Sequence, residues 1–209
     1  MTPARAERDA LCELFLEVGP EAPTLAGDWT TRDLAAHLVV RERRPDAGPG
    51  IISGFLRDYS EKVRITERDR PWAELVERVR EGPPLWSPMR IDAVDELVNT
   101  VEFFVHHEDV RRAEDGWTPR ALDRQLERAL TSSIKRAGGM LARKATVGLT
   151  MNADGVDPVR LRKGDPVVTI SGPIGECVLY LYGRKDVAAV TLDGPDGAVT
   201  SIADTPLGL

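Results

Sequence analysis

The chain has 209 residues, 42% of them hydrophobic and 30% charged, with 28 Lys and Arg against 34 Asp and Glu, three histidines and two cysteines. That length supports one large domain or two small ones around a core that needs no disulfide or metal staple. A formal net charge of −6 argues against binding by phosphate neutralisation, which needs a cationic face, so no nucleic-acid partner is expected.

In chain order, the first signals are helical. Leu11, Leu14, Phe15 and Val18 recur at helical spacing and Gly19-Pro20 follows, predicting a helix over 4–18. Thr30 or Thr31 caps a second helix reaching about residue 43, with Asp33 in the first turn, where the helix dipole favours a carboxylate. The stretch 45–50 reads as a break, and 51–62 and 72–80 as shorter helices, the latter opening behind Pro71. After Gly82-Pro83-Pro84, a long helix is expected over 92–114, closed by Gly116. Another begins with Thr118 as cap and Pro119 at its first position and reaches 142.

Beyond Ala145 the periodicity shortens toward two and half of the 18 glycines are found. Strands are predicted over 147–153, 159–162, 167–171, 187–192 and 198–202, with one helix over 174–182 that turns Cys177, Val178 and Leu181 inward. The expected architecture is a helical bundle over 1–144 followed by a small α+β domain over 145–209.

Cys12 and Cys177 lie far apart with no CxxC, which points to a reducing compartment and reads both as packed small hydrophobes. Arg5, Glu7, Arg8 and Asp9 interrupt the apolar residues of 1–19, so no signal peptide is read there. No run approaches the roughly 20 apolar residues of a membrane span. The expected location is the cytoplasm, with no membrane partner. The charged run 41–44 reads as a solvated helix end, and the four tryptophans as anchors at element ends.

Helical bundles build metal sites from His and carboxylate side chains projecting inward from facing helices. At about 100° per residue, Glu102, His106 and Asp109 share one stripe of the long helix, whereas His107 falls about 140° away and reads as a surface or interface residue. Glu102 and His106, at i and i+4, fit an ion pair on a partly exposed face, or two donors aimed at one point. His37 sits in the apolar stretch Leu34-Ala35-Ala36-His37-Leu38-Val39-Val40. An imidazole there needs a partner, such as a backbone carbonyl or the Glu102 carboxylate. The metal reading joins His37, Glu102 and His106 as two neutral imidazoles and one carboxylate, with a position left open as in catalytic zinc sites. Asp109, one turn below His106, would orient an imidazole or pair with Arg112 or Arg41.

Trp29-Thr30-Thr31-Arg32-Asp33-Leu34-Ala35-Ala36-His37-Leu38 resembles the W-T-x-x-D-L-x-x-H-L signature of the DinB-like metal-binding four-helix bundle. Glu102-Phe103-Phe104-Val105-His106-His107-Glu108-Asp109 resembles the E-x-x-x-H-x-x-D signature of the mycothiol-dependent maleylpyruvate isomerase family. Val168-Thr169-Ile170-Ser171-Gly172-Pro173 and Leu181-Tyr182-Gly183-Arg184 are similar to that family's second, sterol-carrier-like domain. The resemblance implies a divalent metal, usually zinc, on His37, Glu102 and His106, and mycothiol as a thiol cofactor in a cleft between the domains. A thiol reaching a cationic centre of this composition would lose its proton and add to an electrophilic carbon, giving a transferase or an isomerase acting on a small electrophile. Arg184 is a catalytic candidate that would bind a carboxylate of substrate or cofactor, or else an ordinary arginine near a helix C-terminus. The alternatives are a metal-binding sensor or sequestering protein of the same fold that catalyses nothing, and a metal-free core in which Glu102 and His37 simply pair.

Overall fold

The computed structural model describes residues 1–44, 57–87 and 90–208. The expected break at 45–50 and the first part of the expected helix 51–62 lie outside them. The chain divides into two compact units, Met1–Trp117 and Thr118–Leu209.

The first unit is helical: α1 (Pro3–Val18), α2 (Thr31–Arg43), α3 (Arg57–Arg68), α4 (Trp72–Glu81) and α5 (Asp92–Arg111). Thr30 starts α2 through a complete capping box. Its hydroxyl accepts from the Asp33 N–H while the Asp33 carboxylate accepts from the Thr30 N–H, satisfying two otherwise orphaned donors. Helix α1 packs on α4 and α5, and α2 on α3 and α4. Between them Leu11, Cys12 and Phe15 of α1 meet Leu34 and Leu38 of α2, Leu75 and Val79 of α4, and Phe103 of α5, all fully buried. Each large side chain buried in this way contributes roughly 1.5–3 kcal/mol. Phe15 also meets the edge of Trp72, with ring centroids 5.7 Å apart.

The second unit begins with α6 (Arg124–Leu141), later than the cap at Thr118 predicts. The Asp123 carboxylate accepts from the backbone N–H groups of both Gln125 and Leu126, and 118–122 is not helical. This helix packs on the strand 159–162 and on the helix 174–181 that follow it. The change of sequence texture near residue 145 thus marks the passage from helix to strand, while packing groups α6 with the sheet.

The sheet has the order β2-β1-β3-β4, from β1 (Gly148–Ala153), β2 (Val159–Arg162), β3 (Val167–Gly172) and β4 (Thr191–Asp193). Strand β1 runs antiparallel to β2 and parallel to β3, and β4 is antiparallel to β3. Leu149, Met151 and Ala153 alternate inward along β1, as Val168 and Ile170 do along β3. Helix α7 (Ile174–Leu181) follows β3 and is buried along its whole length.

Two strand predictions change. The expected strand 187–192 shrinks to β4 because Lys185–Val187 forms a short 3-10 turn. The expected strand 198–202 is helix α8 (Asp196–Asp204). Pro195 precedes its first turn, and Ala198 and Ile202, one turn apart, are its buried residues, a spacing that suits a helix packed on one side. Lys185 completes it from outside, donating to the carbonyls of Ile202, Ala203 and Thr205; a cation there also opposes the helix dipole. Gly194 is required before α8, since its φ is 156° and a Cβ would lie 2.8 Å from the Val167 carbonyl oxygen. Among the described residues, no helix is long and apolar enough to cross a membrane.

Candidate metal centre

The capping box at Thr30 fixes where α2 starts and places His37 on its second turn, with Arg41 one turn further. Helix α5 carries Asn99, Glu102, His106 and Asp109 at spacings of three and four, which puts them on neighbouring turns. These two stripes meet at a single oxygen. Glu102 Oε1 lies 3.3 Å from His37 Nε2, 3.3 Å from His106 Nε2 and 3.2 Å from Arg41 Nε. Ligand atoms of His37, Glu102 and His106 all fall within 4.8 Å of one another. The imidazoles stand edge to face at 5.5 Å, and the Trp29 ring packs on His37 at 5.2 Å. Side-chain exposure is 12% for each histidine and 22% for Glu102, so the cluster is nearly dry without being sealed.

Asp109 is fully buried, and its Oδ2 lies 2.9 Å from His106 Nδ1. A carboxylate only accepts, so the proton sits on Nδ1 and Nε2 is left to face Glu102 and His37. This is the arrangement by which an outer carboxylate orients a ligating imidazole. It favours the orienting role for Asp109.

Each titratable member is displaced from its ordinary value. Burial pushes the Glu102 carboxyl up, but the Arg41 charge and the bonds from His106 and His37 more than reverse this and hold it well below the carboxylate range. His106 is pushed up to about 9, its burial overcome by hydrogen bonds to Asp109 and Glu102. His37 is shifted down, because burial outweighs the pull of Glu102. A neutral imidazole, an anionic carboxylate and a second imidazole whose Nδ1 proton is held elsewhere make a donor set of N, N and O. That set fits a divalent ion of the zinc class.

Two of the sequence readings change, those of His107 and of the run 41–44. His107 is buried, with Nδ1 3.0 Å from Glu7 Oε2. Helix α1 packs along the face of α5 that faces away from Glu102, so that face is interior rather than surface. The run 41–44 is no solvated end, since Glu42 is buried and bound by Arg8 through two bonds of 2.6 Å. Asn99 Nδ2 then donates to Glu42 at 2.8 Å and to Asp95 at 2.7 Å. The Arg41 Nη1 group donates to Asn99 Oδ1, joining this network to Glu102. The sequence reading gave Asn99 no role and took Arg41 only as part of a solvated helix end or as a partner of Asp109. Their signal was position alone, one turn from His37 and from Glu102 respectively. Arg184 lies in the second unit, just past α7, and donates to the Tyr182 carbonyl at 2.6 Å.

A helical unit bearing a His/Glu/His cluster, followed by a small α+β unit, is the class that fold and site define. The fold is similar to that of a mycothiol-dependent maleylpyruvate isomerase in its crystal structure, with a TM-score of 0.60 at 16% sequence identity. The likeness covers 91% of this chain and 90% of that one. No family model and no curated protein matches the sequence.

Proposed function

We propose that the protein is a divalent-metal enzyme, zinc being the metal, that uses a low-molecular-weight thiol of the mycothiol type on a small electrophilic substrate. The first unit is read as a four-helix bundle of the DinB type with one further helix. The observation that carries the proposal is the convergence of His37, Glu102 and His106 on one point, with His106 oriented from behind by Asp109. The likeness of fold to a mycothiol-dependent isomerase supports the choice of thiol.

His37 and His106 would hold the ion through Nε2 and Glu102 through its carboxylate. A cation there supplies charge that lowers the pKa of a thiol reaching it. Asp109 keeps the His106 ring in one tautomer. The protein's own thiols are poorly suited to attack, because burial pushes both Cys12 and Cys177 up to about 12; the sulfur therefore comes with the cofactor. The chemistry that suits these parts is addition of that sulfur to an electrophilic carbon. Transfer stops at the adduct, and isomerisation continues by expelling the thiol after bond rotation. Arg184 is proposed to bind a carboxylate of substrate or cofactor. Free, buried cysteines suit a reducing cytoplasm.

Protein purified without a histidine tag is expected to retain stoichiometric zinc, and His37→Ala and His106→Ala each to lose it with helical content kept. Substoichiometric metal in the wild type, or unchanged metal in both variants, overturns the ligand set. Consumption of thiol with a panel of activated alkenes, epoxides and halides tests the enzyme; metal retention with no turnover would leave a binding protein instead.

A further inference from the structure

Arg41 lies one turn after His37 on α2 and reaches across to α5 with three of its N–H groups. Nε approaches Glu102 Oε1 at 3.2 Å, Nη1 donates to Asn99 Oδ1, and Nη2 donates to the Val98 carbonyl at 3.2 Å. Its side chain is 16% exposed. The oxygen it meets is the one that both imidazoles face. Asn99 in turn is tied to Glu42 and Asp95, and Glu42 to the fully buried Arg8. The guanidinium is thus bonded to Asn99 and the Val98 carbonyl and lies beside Glu102, in a network that continues into the core, and swinging out to water would take a donor from the buried Asn99 side chain and a counter-charge from Glu102.

We propose that Arg41 is a built-in counter-cation of the candidate centre, a positioning residue that compensates Glu102 in the metal-free protein and weakens the hold on any divalent ion bound there. The inference rests on the metal-site reading above. In the metal-free protein the Arg41 charge adds to that of the His106 imidazolium in compensating Glu102, a nearly buried anion. When an ion binds, the anchored guanidinium remains beside the same oxygen. Two cations then share one carboxylate with little water between them to screen their repulsion. The opposite expectation, that Arg41 aids binding by aiming Glu102, is weaker. Helix α5 already sets Glu102 one turn from His106, and bound metal would hold the carboxylate itself.

The test measures zinc affinity of metal-stripped full-length protein by competition with a chromogenic chelator, together with thermal melting of the metal-free form. Arg41→Gln is expected to bind zinc about tenfold or more tightly than wild type, while its metal-free form melts lower. Arg41→Met, which keeps the aliphatic stem, is expected to do the same should Arg41→Gln fold poorly. Arg41→Lys keeps the charge and should stay within about threefold of wild type. A merely structural arginine would lower melting without tightening zinc. Wild type that binds zinc, with neutral variants that bind it no more tightly, overturns this inference alone. Wild type that binds no zinc overturns the metal-site reading, and this inference with it.

Discussion

The two imidazoles of the cluster are held in unlike ways, and the difference assigns roles. His37 packs against the Trp29 ring and faces the Glu102 carboxylate through Nε2. His106 is gripped at both nitrogens, by Asp109 at Nδ1 and by Glu102 at Nε2. Of the two rings, His106 is therefore the one whose orientation depends on a second carboxylate, and Asp109 can be tested without touching a donor atom. Asp109→Asn keeps the size of the side chain but can turn an N–H toward Nδ1, which favours the tautomer with its proton on Nε2. Zinc affinity should fall by roughly 10- to 100-fold, the usual cost of losing such a partner, with circular dichroism unchanged. Chelator competition measures it, and an affinity equal to wild type would remove Asp109 from the site.

At the scale of elements, α1, α2 and α5 are joined below the cluster by the buried Arg8–Glu42 pair, with Asn99 and Asp95 beside it. Burial pulls Arg8 toward losing its proton, but the bonds and charge of Glu42 keep it raised. Arg8→Ala removes the guanidinium and strands an anion that is almost without solvent. The expected cost is about 3–5 kcal/mol by urea unfolding, and Arg8→Met with Glu42→Leu together should recover most of it, because the pair as a whole stabilises far less than its broken half destabilises. A loss below about 1 kcal/mol for Arg8→Ala would mean that water or a neighbouring group reaches Glu42.

This network also shows where sequence reading stops. The start of α2, the end of α1 and the three donors were legible, because caps and i,i+4 spacings are local. Glu42 and Arg41 belong to a run of charges that looks solvated on its own helix, and they become interior only because α1 and α5 close over that face. His107 was misplaced for the same reason, since helical angle fixes a direction but not what lies along it. Residues 196–204 illustrate the converse: a short apolar pattern suits strand or helix alike, and the packing of Ala198 and Ile202 decides it.

Taken as a whole, the molecule couples folding, protons and metal through the charge state of this cluster. The unfolded value for histidine is about 6.5, and His106 rises to about 9 on folding. Between those values the folded protein holds a proton that the unfolded chain has shed, so the stability of the metal-free form falls as pH rises through that window. His37 is shifted the other way. Below about 6.5 the unfolded chain takes up a proton that the folded ring resists, so stability falls again toward acid. Glu102 adds to that fall once the pH drops below the ordinary carboxylate range, because its contribution is lost as it becomes protonated. The cluster thus gives the metal-free protein greatest stability near pH 6.5. Zinc requires both imidazoles neutral at Nε2, and Asp109 retains the Nδ1 proton of His106, so the proton displaced is the one at Nε2. At pH 7.5, zinc binding is expected to release about one proton, measured by calorimetry in buffers of different ionisation enthalpy. The release should fade above about pH 9. Because stability without metal declines over the window in which zinc competes with fewer protons, the rise in melting temperature on adding zinc should grow steadily from pH 6.5 to 9. A rise that is flat with pH, or binding without proton release at pH 7.5, would mean that His106 is already neutral and that Asp109 and Glu102 do not hold its charge.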